Sequence, residues 1–193
     1  MLAFNKRLDL IEERILAPGF RTGRGTANEV NFWIFDYNPE DELAVRAHVH
    51  YLQGRINNAH HDVRIVTFDL YELMIEVLRE KGYLEKVLEM ERKKGSEGIL
   101  NPIKKTLRLT LESDLIIEKI TKDLVPEHDI VFLTGIGKAW PIIRSHTTLN
   151  NLHSRINHNP LVMFFPGEYT NELCLFGEIT DDNYYRAFQL IER

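Results

Sequence analysis

Apolar residues recur along this chain in two rhythms. Phe4, Leu8, Ile11 and Ile15 stand at steps of three and four, which places them on one side of a helix over 4–16 that Pro18-Gly19 ends. The rhythm then shortens into unbroken runs. Asn31 to Phe35, Val63 to Phe68, Ile130 to Leu133 and Leu161 to Phe165 are too short for helices, and the first two are rich in aromatic and β-branched residues; all four read as strands. Helical spacing returns between them. Asn38 can cap a helix with Pro39 in its first position and Glu40 and Asp41 against its positive end, running to about Asn57. Asp69, with Glu72 three residues on, starts another whose buried stripe is Leu70, Leu73, Met74, Val77 and Leu78.

Residues 81–125 keep the helical period but carry more charge. Gly82, Gly95, Gly98 and Pro102 divide them into pieces over Tyr83 to Lys94, Ile103 to Leu111 and Asp114 to Leu124. A helix opening at Trp140-Pro141 links the third and fourth strands. The loop from Pro166 to Glu172 is too short for a parallel crossover, so Leu173 to Gly177 is expected to return antiparallel. Thr180 to Asn183 supply caps for a last helix over Tyr184 to Ile191. The alternation predicts one α/β domain over 1–193: a mostly parallel, Rossmann-like or P-loop-like sheet flanked by helices, with a helical insertion at about 81–125 and an antiparallel C-terminal strand.

Composition narrows the class. An apolar fraction of 44% and a charged fraction of 27% belong to an ordinary globular protein. No uncharged apolar run approaches the roughly 20 residues that span a bilayer, and the charged N-terminal stretch lacks the apolar core of a signal peptide, so no membrane association is expected. The single Cys174 excludes an internal disulfide framework and a multi-cysteine zinc site, and points to the reducing cytoplasm. A net charge of −5 argues against a dedicated nucleic-acid binder. Two basic clusters, Arg92-Lys93-Lys94 and Lys104-Lys105 with Arg108, read as solvated helix faces near Glu85, Glu89 and Glu91, or as a weak nucleic-acid contact.

Ligand sites of open α/β sheets lie at the carboxyl ends of the strands, here Asp36-Tyr37, Asp69, Thr134 to Lys138 and Pro166 to Tyr169. Gly135 and Gly137 follow a strand and permit a sharp turn, yet nucleotide motifs fail there. Ala139 stands where a Walker A loop needs Ser or Thr, Phe132 holds the position of its first glycine, and Trp140 that of the third dinucleotide-loop glycine. A turn presenting Lys138 and Trp140 to a partner fits better. Beyond Pro141, Ile142, Leu149, Leu152 and Ile156 form a packing face that includes His146; Arg144, Thr147, Thr148 and Asn151 share the other face, able to meet a carboxylate, a phosphate or a partner backbone. Glu168 and Tyr169 read as contact residues of a shaped loop. The basic Arg21 to Thr26 segment is glycine-rich but precedes a strand, so it reads as a connector. Neither His48 and His50, His60-His61, nor His153 and His158 make a metal motif, Ser145 lacks a nucleophile elbow, and no metal or cofactor is expected. The alternative is a degenerate phosphate-binding or nuclease-like enzyme with Asp36, Lys138 and Arg144 around an anion. In that reading Asp36 and Asp69 end neighbouring strands.

The passages Phe132 to His146, Leu149 to Leu152, Pro160 to Tyr169 and Asn183 to Phe188 together resemble the BrxB family of bacterial BREX phage-resistance systems. That resemblance implies a small, non-catalytic cytoplasmic component of a multi-protein defence island. Such islands also encode a methyltransferase, a large ATPase and the alkaline-phosphatase-like PglZ protein, with which BrxB-type proteins are thought to associate. It brings no catalytic residues. The motif positions it marks are Gly135, Gly137, Pro141, Arg144, His146, Asn150, Asn151, Pro166, Gly167 and Tyr169.

Overall fold

Five parallel strands run through the centre of the molecule in a computed structural model that describes residues 2–21, 31–59, 62–109, 113–156, 158–170, 172–181 and 187–193. The strands are β1 (Phe32–Tyr37), β2 (Arg64–Asp69), β3 (Asp129–Thr134), β4 (Leu161–Tyr169), β5 (Leu173–Leu175), β6 (Ile179–Asp181) and β7 (Phe188–Gln189). Their order is β2, β3, β4, β1, β7, and β5 and β6 add antiparallel to the far end of β4. The expected α/β class and the antiparallel return after β4 are both present.

Alternation along the strands explains why the sheet needs two coats. Phe32, Ile34, Val131, Leu133, Leu161, Met163 and Phe165 belong to one apolar layer; Trp33, Phe35, Ile130, Phe132, Val162 and Phe164 belong to the other. Helices α1 (Phe4–Leu16) and α2 (Glu42–Ala59) cover the second layer through Leu8, Ile11, Ile15, Val45, Val49, Leu52 and Ile56. The first layer is covered by α3 (Leu70–Glu80), the inserted α4 (Leu84–Lys94), α5 (Glu97–Leu107) and α6 (Leu115–Thr121), then α7 (Ile136–Ala139) and α8 (Ser145–His153). The buried stripe of α3 is the expected one, and the Asp69 carboxylate accepts from the Tyr71 and Glu72 amides at 3.0 and 3.2 Å.

Elsewhere tertiary pairing overrides local signals. The Ile142 and Ile143 amides both donate back to the Ala139 carbonyl at 3.0 Å, so the chain after Trp140 closes a turn onto α7 and the expected helix begins at Ser145, not Pro141. The packing face shifts with it: Ile143 and Thr148 are buried, and Ile142 only half so. Residues 187–193 are not helical, because the open edge of β1 recruits them as β7 and the Leu190 amide donates to the Ile34 carbonyl at 2.8 Å. β4 runs four residues past Phe165, since Gly167, Glu168 and Tyr169 pair with β5. Pro102 lies inside α5 and does not break it. Asn38 makes no cap: a single 3₁₀ turn, Pro39–Asp41, precedes α2. Asp36 and Asp69 do not end neighbouring strands, because β4 and β3 stand between β1 and β2. The glycine-rich stretch after Arg21, His60-His61 and the first three residues of the expected C-terminal helix, 184–186, lie outside the described residues.

Two titrations should be visible in stability. Burial lowers the His48 pKa against the pull of Asp9, and its Nε2 is buried with no partner, so the fold favours the neutral ring. That contribution is complete above the unfolded value of about 6.5 and is lost as pH falls through the lower folded value. Burial pushes Asp129 up, but bidentate Arg64 at 2.8 and 2.6 Å, the Val125 amide and His128 outweigh it and hold the carboxyl low. Its contribution is present above about 3.9 and is lost below that. Urea midpoints should therefore fall in two steps on acidification, with His48→Gln removing the upper one; an unchanged upper step in that variant contradicts the assignment.

Candidate partner-binding edge

The strand order fixes where a ligand crevice would open. The connection leaving β1 travels to β2 at one side of the sheet, whereas the chain leaving β4 travels to β7 at the other, so the direction reverses between β1 and β4. That crevice is filled by the chain's own side chains. Asp36, 1% exposed, receives Arg7 Nη2 on Oδ1 at 2.8 Å and Arg193 Nε on Oδ2 at 2.8 Å, with the Gln189 side chain and the Tyr169 amide each at 3.3 Å. Arg193 also donates to the Asn38 side chain and the Gly167 carbonyl, and Arg7 to the Ile191 carbonyl at 3.1 Å. The first turn after β1 is Asn38-Pro39-Glu40-Asp41, acidic and without glycine, a poor place for a phosphate. Asp36 is thus a structural anchor for both ends of the described chain.

The turn after β3 is built differently. Gly135 has φ 72° and a side chain there would stand 2.2 Å from Asp69 Oδ1, so the position needs both the left-handed backbone and the missing Cβ. The Asp69 carboxylate above it takes Lys138 Nζ at 2.7 Å, with Glu72 at 3.6 Å and the Tyr71 ring face 5.5 Å away. Of Lys138, Asp36 and Arg144, the first two are thus paired with separate partners, Lys138 with Asp69 and Asp36 with Arg7 and Arg193. Gly137 lies under the Phe176 ring, whose nearest atom would be 2.8 Å from an added Cβ, and beside Pro166. Gly167 runs closer still to the Cys174 carbonyl.

The remaining expected residues divide by exposure. Trp140 is 39% exposed and is joined to Pro141 by a cis peptide bond; Arg144, Asn150 and Glu168 are also exposed, and Arg144 makes no ion pair among the described residues. His146 is half-buried with Nε2 3.0 Å from Thr147 Oγ1. Asn151 instead holds the fold, donating at 3.2 Å to Asp114, the cap of α6, whose pKa burial raises against these hydrogen bonds. Tyr169 is buried and its hydroxyl donates to the Ala187 carbonyl at 2.7 Å. Arg92, Lys93 and Lys94 end α4, and Lys104 and Lys105 end α5, with Arg108 capping it in the left-handed region. The two helices pack as a pair turned at Gly95, which puts the clusters at opposite ends, about 16 Å apart. Each cluster complements its own helix dipole. Sequence reasoning did not single out Phe176, Arg7 or Arg193: a phenylalanine inside an apolar run and arginines at chain ends carry no local signal. Among the described residues no group of three His, Cys, Asp or Glu is placed to hold a metal, and no helix is long and apolar enough to cross a membrane.

Gly135→Ala should cost about 1–3 kcal/mol and lower Tm by roughly 2–4 °C per kcal/mol; an unchanged Tm contradicts the account of the turn. Asp36→Asn leaves Arg7 buried without its counter-charge and should cost about 3–5 kcal/mol, more than Arg193→Ala, because Arg193 is 31% exposed. Equal losses in the two variants by urea unfolding contradict the anchor role.

A family model described as "BREX protein BrxB" matches residues 66–190, which holds the Gly135 turn, the cis proline, α8 and the Pro166-Gly167 bend. A "BREX protein BrxB" of Bacillus cereus (strain H3081.97) is 56% identical over 194 residues, covering all of both chains. Another, from Escherichia coli O9:H4 (strain HS), is 36% identical over 186 residues, 96% of this chain and 90% of that one. No solved structure matches. With the family match spanning most of the sheet and a full-length relative more than half identical, this chain belongs to the BrxB family of BREX proteins.

Proposed function

We propose that this chain is a non-catalytic adaptor of a cytoplasmic BREX phage-defence system, and that it docks on another system protein, PglZ first among them, through the loops at the carboxyl edge of its sheet. One observation carries the reading. The crevice where an α/β enzyme would hold its ligand is filled by Asp36, Arg7, Arg193 and Gln189, while Trp140 and Arg144 stand exposed on the segment that follows the β3 turn. An exposed Trp and an exposed Arg four residues apart on one such segment have the composition of a contact surface, where a few aromatic and arginine anchors supply most of the binding energy. The basic ends of α4 and α5 are explained by their helices, so nucleic acid is not part of the reading.

Co-expressed PglZ should purify with the wild-type chain, and Trp140→Ala should weaken the complex by roughly tenfold or more with Tm little changed. Absence of any wild-type complex with PglZ or another BREX protein contradicts the adaptor reading. Nucleotides and divalent metals should leave the Tm of the purified protein where it is; a rise of several degrees at saturating ligand favours the phosphate-binding alternative instead.

A further inference from the structure

The adaptor reading leaves open what chemistry the partner presents, and the antiparallel end of β4 addresses it. Phe176 is 38% exposed at the β5–β6 turn and its ring rests on Gly137, three residues before Trp140. A phenylalanine with φ 58° holds a turn position that glycine or asparagine would occupy more easily, so the ring is displayed at a conformational cost.

The stretch of chain that carries Phe176 is acidic. Residues 166–181 contain Glu168, Glu172, Glu178 and Asp181 and no Lys or Arg. Pairing of Glu168 with Cys174 and of Cys174 with Thr180 sets these three in a row across the strands, and Thr180 Oγ1 lies 3.7 Å from Cys174 Sγ. Tyr169, Leu173 and Leu175 turn the other way into the core. Glu168 is 63% exposed, and its nearest cation, Arg193 Nη1 at 3.9 Å, is already committed to Asn38. Glu172 and Glu178 are exposed and make no ion pair among the described residues. Lys138, the nearest lysine to Gly137 in the chain, is neutralised by Asp69 and Glu72.

We propose that the β4–β5–β6 tip, Phe176 with Glu168 and Glu178 around it, receives a lysine- or arginine-bearing surface of a partner protein with an apolar socket for the phenyl ring. This rests on the adaptor reading and names the partner's chemistry. Like-charge repulsion excludes a nucleic-acid backbone from the same face, and complementary charge gives a protein partner its orientation and association rate.

The test measures the affinity of purified PglZ for three forms of the full chain: wild type, Phe176→Ala, and the triple variant Glu168→Lys, Glu172→Lys, Glu178→Lys. Because the glutamates are exposed, Tm of the triple variant should match wild type, and a triple Glu→Gln variant separates charge from fold. Expected are a wild-type affinity that weakens as NaCl rises from about 50 to about 500 mM, a loss of roughly tenfold or more in the triple-lysine variant, a smaller loss in the triple-glutamine variant, and a loss for Phe176→Ala that salt does not change. If wild type binds and Trp140→Ala weakens it while the triple-lysine variant binds as wild type, this inference is overturned and the adaptor reading stands. If wild type binds no BREX protein at all, both fall.

Discussion

A carboxylate taken almost wholly out of water at the end of β1 sets the terms for the rest of this molecule. Ionised Asp36 is tolerable there only with its lone pairs occupied, and the occupants come from distant parts of the chain: Arg7 from α1, Gln189 and Arg193 from the C-terminal segment, the Tyr169 amide from β4. The cluster has two guanidinium groups to one carboxylate, and burial lowers the Arg7 pKa even against the Asp36 charge. Such a site is a poor source of net stability, but it discriminates sharply against arrangements in which any partner is missing. It therefore specifies where α1 docks and why residues 187–193 lie along β1 and not in a helix.

The same cluster decides what the carboxyl edge can do. In open parallel sheets the reversal of strand order creates the ligand crevice; here the reversal and the cluster coincide. Chemistry displaced from the crevice leaves geometry at its rim. Asp69 connects β2, α3 and the β3 turn through Lys138, the Phe176 ring closes over Gly137, and the chain between them displays Trp140. These are tight backbone approaches that demand glycine, which gives a physical reason for Gly135, Gly137 and Gly167 without assigning them to catalysis.

Much of the fold was legible because its signals are local. The α3 stripe and its Asp69 cap, the four short apolar runs and the α1 face follow from periodicity and capping, and all appear as read. What escaped depends on partners far away in sequence. Nothing near Phe188 or Leu190 says that β1 has an open edge; nothing near Thr148 says that the chain before it closes a turn onto Ala139, so that α8 starts at Ser145 and buries that threonine. The candidate edge was partly readable through its glycines and Trp140. The role of Asp36 was not legible, because a carboxylate at a strand end looks alike in sequence whether it awaits a ligand or already holds two arginines.

The claim at the centre of this account is that the rim of the carboxyl edge, not the crevice behind it, is the working surface. Amide hydrogen exchange of the full chain, alone and in complex with PglZ, addresses that directly. The account predicts slowed exchange on binding confined to residues 136–144 and 166–180, with β1 protected equally in both states. Protection appearing instead on α4 and α5 alone, or deprotection of β1 and residues 187–193 on binding, would contradict it.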